Sequence, residues 1–132
     1  MFGISTTIEP TFYVYSSTSN PRPDIVFHLP RAVATDVSVV FPVGEEGEST
    51  RAKAKSKIQR HQPAVTALNH EFIPFVLDTF GTMDKGCKEL IVALKRHVPI
   101  HLKSSFDFHA YHSISCALAK ARAATIRAVK RV

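Results

Sequence analysis

Four stretches of the chain carry apolar, β-branched and aromatic residues in runs that are typical of strands. The predicted strands are Thr11–Ser16, Asp24–Leu29, Ala32–Phe41 and Phe72–Leu77. Pro30 and Pro42 close the second and third strands, and Pro74 predicts an edge or a bulge in the fourth. Because the third stretch has few polar residues, we expect its strand to be buried on both faces.

Three further stretches predict helices, which are Glu48 to about His61, Asp84 to about His97, and Ser113 to Val132. The first is rich in Ala, Lys, Arg and Gln, with Ser49 or Thr50 as candidate caps, and Pro63 either ends it or starts a second turn. The second is amphipathic, because apolar residues recur at helical spacing from Cys87 to Leu94. Strands followed by a strand between helices predict an α/β (α+β) sandwich.

The 132 residues, 45% of them hydrophobic, fit one globular domain. No apolar run approaches the roughly 18 residues of a membrane span, so we expect no membrane partner. No secretory signal is visible between Met1 and Pro10, and two cysteines, Cys87 and Cys116, are too few for a disulfide framework. These features predict an intracellular protein.

Charge is distributed unevenly along the chain. Residues 1–50 carry two basic and six acidic side chains, a net −4, whereas residues 51–132 carry fifteen basic and five acidic ones, a net +10. The basic residues concentrate in two clusters, one formed by Arg51, Lys53, Lys55, Lys57 and Arg60 and the other by Lys120, Arg122, Arg127, Lys130 and Arg131. Such clusters are compatible with a polyanionic partner. The alternative is a solvated basic surface, which charge alone favours.

Two acidic residues fall on neighbouring predicted strands. Asp24 opens the second strand and Asp36 lies within the third, 12 residues later. If these strands pair as a hairpin or meander, the carboxylates can meet, and they then repel each other unless a cation lies between them. Mg²⁺ accepts such oxygen ligands. The following helix offers Lys53 and Lys57 on one face, where a lysine can stabilise charge on a phosphate.

Each of these residues also has a plain structural interpretation. Asp24 can start a strand or cap a turn. Asp36 can face water if its strand is an edge, and Lys57 can belong to a solvated helix face. Asp78 with Gly81 is typical of a turn at a strand end rather than of a ligand. The spacing of His109, His112 and Cys116 hints at zinc, but it supplies no fourth ligand.

Residues around the acidic pair resemble a known family. The runs RPDIVFHLPRAVATDVSVVFP, RAKAKSKIQRH and HEFIPFVLDTFG are similar to the restriction-endonuclease-like domain of site-specific non-LTR retrotransposon proteins and related reverse-transcriptase polyproteins. That domain belongs to the PD-(D/E)XK nuclease superfamily. The matching motifs are Pro23-Asp24, Asp36-Val37-Ser38-Val39, Phe72-Ile73-Pro74-Phe75-Val76 and Asp78-Thr79-Phe80-Gly81. A tail segment from His112 to Leu118 also matches, so the resemblance covers roughly residues 21–125.

The chain departs from the family pattern in two respects. Ser38 stands where the superfamily has a lysine, and in this branch the lysine is moved to the following helix, which indicates Lys57. Arg60 then takes the second basic position and His61 replaces a tyrosine. The reverse transcriptase domain and the zinc-knuckle spacing of the polyproteins are missing, so the resemblance implies a fragment or a degenerate copy.

The resemblance implies a restriction-endonuclease-like mixed sheet of about four strands flanked by helices. Residues 1–20 would be an N-terminal extension with one strand, and residues 21–132 the endonuclease-like domain with a basic C-terminal helix.

The implied function is that of a Mg²⁺- or Mn²⁺-dependent endonuclease that cleaves or nicks target DNA in the nucleus. Asp24 and Asp36 would bind the metal, and these two residues with Lys57 would be catalytic, although Lys53 and Lys55 remain open alternatives to Lys57. Nucleic acid would bind the basic residues Arg51, Lys53, Lys55, Arg60, Lys120, Arg122 and Arg127. The alternative is a catalytically inactive nucleic-acid-binding or scaffold fragment of a reverse-transcriptase-type polyprotein.

Overall fold

The computed structural model describes residues 4–15 and 22–113 and has a mixed α/β architecture. Its strands are β1 (Thr6–Ile8), β2 (Ile25–Phe27), β3 (Val33–Thr35), β4 (Val37–Val40), β5 (Glu71–Phe72) and β6 (Phe75–Asp78). Its helices are α1 (Glu48–Ala67), α2 (Lys85–Lys95) and a short 3₁₀ turn (Ile100–Leu102), and residues 103–113 are also helical.

The strands form two short sheets that run end to end. One has the order β1-β2-β3-β5, with antiparallel pairing except between β3 and β5, and the other pairs β4 with β6 in parallel. The backbone continues from β3 to β4 through Asp36, and the Phe75 amide donates to the Asp36 carbonyl at 3.0 Å. The six strands therefore lie on four segments of chain, which agrees with the predicted mixed sheet of about four strands.

Helix α1 connects the two parallel segments and is longer than predicted. Pro63 does not end it, because the helix continues to Ala67. A proline inside a helix removes one backbone hydrogen bond, and burial of Ala64 and Val65 against the sheet offsets that loss. The proposed side-chain caps were also wrong. Gly47 occupies the cap position with φ 79°, a left-handed conformation that favours glycine.

The sheet has two faces with different coverings. On the side packed by α1, which we call the α1 face, the core contains Val26, Ala34 and Phe72. On the opposite side, the α2 face, Val33 and Ile73 pack against Leu90 of α2. Because side chains alternate along a strand, consecutive residues of β3 belong to opposite faces.

The predicted strand Thr11–Ser16 was wrong over residues 11–15, which form no strand, and residue 16 lies outside the described part. The edge of β2 is instead occupied by β1, with Thr7 opposite Val26. The aromatic residues of the predicted strand pack through their side chains, because Tyr13 is buried in the core of the α1 face and Tyr15 packs against that core.

Other predictions had mixed outcomes. The amphipathic helix was confirmed as α2, with Cys87, Leu90 and Ile91 buried. The stretch Ala32–Phe41 is buried on both faces only at β3, because Val37 and Val39 of β4 are exposed. The predicted helix from Ser113 to Val132 lies outside the described residues except for Ser113, and the helical residues 103–113 were not predicted.

Within residues 4–15 and 22–113, no helix is both long enough and apolar enough to cross a lipid bilayer.

Candidate functional site

The register of the β2–β3 hairpin brings the two predicted carboxylates together. Ile25 pairs with Thr35 and Val26 with Ala34, so one further step in the same register places Asp24 opposite Asp36. Next to this position, the Asp24 amide donates to the Thr35 carbonyl at 3.0 Å. Residues that lie opposite each other in an antiparallel pair project from the same face of the sheet. That face is the α1 face.

Asp24 is half-buried and lies in direct contact with its acidic neighbour. Its Oδ2 accepts a hydrogen bond from the Val37 amide at 2.7 Å. Burial raises the pKa of Asp24, and its hydrogen bond and charge repulsion with Asp36 raise the pKa further, against the Val37 donor. The two carboxyl groups are therefore close enough to share a proton.

Asp36 is the more buried of the two and is held by two cationic or donor groups. Its Oδ2 accepts from the Lys57 ammonium and lies 3.3 Å from His61 Nε2. Burial by itself would raise the pKa of Asp36, but the hydrogen bonds from His61 and Lys57 outweigh burial and hold the pKa well below its ordinary value. Asp36 is therefore ionised at neutral pH.

Burial shows which lysine reaches the pocket. Lys57 and His61 are four residues apart, so they lie one above the other on the same face of α1. The Lys57 side chain is only 13% exposed, whereas Lys53 and Lys55 are exposed to solvent. Of the three lysines that the sequence left open, Lys57 is the one that contacts Asp36.

His61 and Tyr15 complete the cluster, and sequence reasoning did not place either of them in the site. The Tyr15 hydroxyl and His61 Nδ1 are hydrogen-bonded at 2.5 Å, and the two rings meet edge to face with their centroids 5.6 Å apart. Burial, with the nearby Asp36 charge, raises the pKa of Tyr15 to about 12. The spacing from Lys57 was a signal for His61. No signal pointed to Tyr15, which lies outside any strand.

The predicted nucleic-acid-binding residues on α1 lie outside this pocket. Arg51, Lys53, Lys55 and Arg60 are exposed. Arg51 and Lys55 also border a cavity of about 460 Å³ between α1 and the start of α2, where Lys85 adds a third basic side chain. The other predicted contacts, Lys120, Arg122 and Arg127, lie outside the described residues.

Two other sequence patterns, the turn at Asp78 and the spacing of His109, His112 and Cys116, have separate outcomes. Asp78 forms the expected strand-end turn, because its Oδ1 accepts from the amides of Phe80 (2.8 Å) and Thr82 (3.0 Å), and Gly81 has φ 92°. His109 and His112 lie on the helical residues 103–113, while Cys116 is not described. Within the described ranges, no group of three or more His, Cys, Asp and Glu side chains is arranged to hold a metal ion.

No protein-family model matches the chain, and no curated protein matches it.

Proposed function

We propose that the chain is a metal-dependent DNA endonuclease-like domain of a retroelement protein, with a restriction-endonuclease-like fold. The observation that carries the proposal is the meeting of Asp24, Asp36 and Lys57 at one end of the α1 face. These are the three residues that the family resemblance assigns to catalysis, and they come from a strand end, a strand junction and a helix. Their convergence is not required by the hairpin alone, because Lys57 lies on a separate element.

The donor set fits a hard divalent cation. Asp24 and Asp36 are carboxylates in contact. Burial is the main cause of the raised pKa of Asp24, and repulsion from Asp36, which a cation would relieve, adds to it. Mg²⁺ is often bound by one or two carboxylates, with water and substrate phosphate filling its other positions. The pair therefore fits Mg²⁺ or Mn²⁺ without a third protein ligand.

Each residue then has a definite role. Bound Mg²⁺ would polarise the scissile phosphodiester and lower the pKa of a bound water. Asp36, ionised at neutral pH, supplies a permanent negative charge for cation binding. The Lys57 ammonium lies at the same carboxylate, where it can stabilise negative charge that develops on a phosphate.

The exposed basic side chains of α1 supply a surface for the phosphate backbone. Arg51, Lys53, Lys55 and Arg60 lie on the helix that also carries Lys57, so a DNA strand bound along α1 would be brought beside the carboxylates. Contacts of this kind are electrostatic, and each neutralised phosphate contributes about 0.9 to the slope of log affinity against log salt. Binding with no salt dependence would contradict the proposed surface.

A nicking assay on supercoiled plasmid with Mg²⁺ or Mn²⁺ tests the proposal. The decisive variant is Asp24→Asn, because an amide can still accept from the Val37 amide and donate to Asp36, so the fold is retained. We expect Asp24→Asn and Lys57→Ala each to reduce nicking by roughly 100-fold or more. The matched controls are Glu46→Gln and Lys88→Ala, exposed residues outside the site, which should nick as the wild type does.

A second candidate function is a nucleic-acid-binding scaffold that does not cut. The exposure of the basic residues on α1 favours it, because these side chains do not depend on the carboxylate pair. The same assay separates the two functions. Plasmid binding without nicking in either the wild type or Asp24→Asn would support the scaffold and exclude the endonuclease.

A further inference from the structure

Both ring nitrogens of His61 have a polar contact. Its Nδ1 is hydrogen-bonded to the Tyr15 hydroxyl at 2.5 Å, and its Nε2 lies 3.3 Å from Asp36 Oδ2. The ring also packs against Phe72 at a centroid distance of 5.1 Å. The imidazole is only 1% exposed, so it has neither an open polar atom nor room to turn.

One neutral form of the imidazole satisfies all of these contacts. The ionised Asp36 can only accept, so the hydrogen of His61 must lie on Nε2. Nδ1 is then an acceptor, and the Tyr15 hydroxyl is a suitable donor for it. Tyr15 thus selects the tautomer in which His61 donates to Asp36.

Burial excludes direct chemistry by His61, because a ring that is 1% exposed cannot touch a DNA substrate. Its effect must pass through Asp36. Both His61 and Lys57 contact the same oxygen of Asp36, Oδ2, and neither of these contacts uses Oδ1. Two donors on one oxygen fix the orientation of the carboxylate.

We propose that Tyr15 and His61 are positioning residues that hold Asp36 by Oδ2 and so keep Oδ1 for the divalent cation it would share with Asp24. This inference rests on the proposed function for the cation, but the hydrogen-bonded chain from Tyr15 to Asp36 stands on its own geometry. Groups that orient metal ligands in this way typically change metal affinity 10–100-fold when they are removed.

The fold contains a matched control for this chain. The Tyr13 hydroxyl and Nδ1 of His70 are hydrogen-bonded at 2.8 Å, and their rings meet edge to face with centroids 5.7 Å apart. Tyr13 and Tyr15 therefore make the same kind of hydrogen bond to a histidine, from the same segment. They differ because the histidine of Tyr15 contacts Asp36. Tyr13→Phe removes an equivalent bond without disturbing the site.

The experiment compares Tyr15→Phe with Tyr13→Phe, and His61→Leu with His61→Gln. The first measurement is the ¹⁵N NMR spectrum of the imidazoles, in which wild-type His61 should show the Nε2–H tautomer and Tyr15→Phe should disturb it. The second is Mn²⁺ affinity measured by titration. We expect roughly 100-fold weaker binding for His61→Leu and roughly 10-fold for Tyr15→Phe. His61→Gln retains a donor and should recover most of the affinity, and Tyr13→Phe should bind as the wild type does.

Several results would overturn the inference. They are an Nδ1–H tautomer in the wild type, equal Mn²⁺ affinities in Tyr15→Phe and Tyr13→Phe, or no recovery in His61→Gln relative to His61→Leu. If the wild type binds no Mn²⁺, the proposed function and the cation part of this inference both fail. An Nε2–H tautomer that Tyr15→Phe disturbs would still support the positioning of Asp36 in that case.

Discussion

The two faces of the sheet differ in the hydrogen bonding of their buried polar side chains. On the α1 face, Asp36 is buried but receives hydrogen bonds from Lys57 and His61. On the α2 face, the neighbouring Thr35 is buried more deeply than Asp36, and its hydroxyl has no hydrogen-bond partner among the described residues. Thr35 borders an apolar cavity of about 240 Å³ lined by residues such as Phe27, Leu90 and Phe106.

Thr35 and Asp36 are adjacent in the chain and nevertheless lie in quite different environments. A buried ion pair is weak evidence of stability, because apolar side chains of similar size often serve as well. The charged cluster of the α1 face is therefore better explained by a function than by folding. The α2 face has the composition of an ordinary core, in which the unpaired Thr35 hydroxyl is the exception.

The largest effect is expected from Asp36→Ala. This change leaves Lys57 and His61 buried without their acceptor, so the free energy of unfolding should fall by about 3–5 kcal/mol. Chemical denaturation followed by circular dichroism measures it. Asp36→Leu combined with Lys57→Met removes both charges, and it should regain most of the lost stability while remaining unable to nick DNA.

The control for this change is Asp107→Ala. Asp107 also pairs with a lysine, Lys95, but the two side chains are 39% and 36% exposed. Exposed pairs contribute about 0–1 kcal/mol, so Asp107→Ala should have a small effect. Equal losses for Asp36→Ala and Asp107→Ala would refute the view that burial makes the Asp36 cluster special.

A smaller effect of opposite sign is expected on the α2 face. Thr35→Val replaces a buried hydroxyl that has no partner by a methyl group of similar size, so it should raise the free energy of unfolding by about 1 kcal/mol. Thr50→Val is the matched control, because Thr50 is equally buried but its hydroxyl donates to the Gly47 carbonyl at 3.0 Å. It should lose about 1 kcal/mol. The same sign for both variants in thermal unfolding would contradict the assignment.

The smallest effect concerns pH and separates the two carboxylates. The lowered pKa of Asp36 contributes stability that is present at neutral pH and is lost as the pH falls below about 4. The raised pKa of Asp24 has the opposite sign, because its contribution is present below about 4 and is lost as the pH rises through the folded-state value. Asp24→Asn should therefore raise stability at pH 7 by about 0.5 kcal/mol, with no gain at pH 3.

Unfolding curves at both pH values measure this difference, with Glu46→Gln as an exposed control. A gain for Asp24→Asn at pH 3 as large as the gain at pH 7, or a loss at pH 7, would show that the pKa of Asp24 is not raised in the folded state.

The elements that the sequence predicted correctly are those whose pattern of residues is local. The strand around Ile25 was predicted from a short apolar run closed by Pro30, and helix α2 from helical spacing, whereas the pairing of the second and third strands was only one possibility. The predicted strand was wrong over residues 11–15, where the aromatic residues suggested a strand. Tyr13 and Tyr15 instead pack individually at the core of the α1 face. Helix α1 was likewise predicted to end near Pro63, because the burial of Ala64 and Val65 cannot be read from local propensity.

The sequence by itself determined that side chains alternate along the strands of Asp24 and Asp36, so the two carboxylates can share a face in one pairing register and lie on opposite faces after a slip of one residue. The register that places Ile25 opposite Thr35 is a property of the tertiary structure. The sequence also determined that Lys57 and His61 project from one face of a helix. Only the tertiary structure decided that this helix face meets those carboxylates, and that Tyr15 reaches His61 across 46 residues of chain. Such contacts depend on how α1 packs on the sheet, and no local pattern encodes that packing.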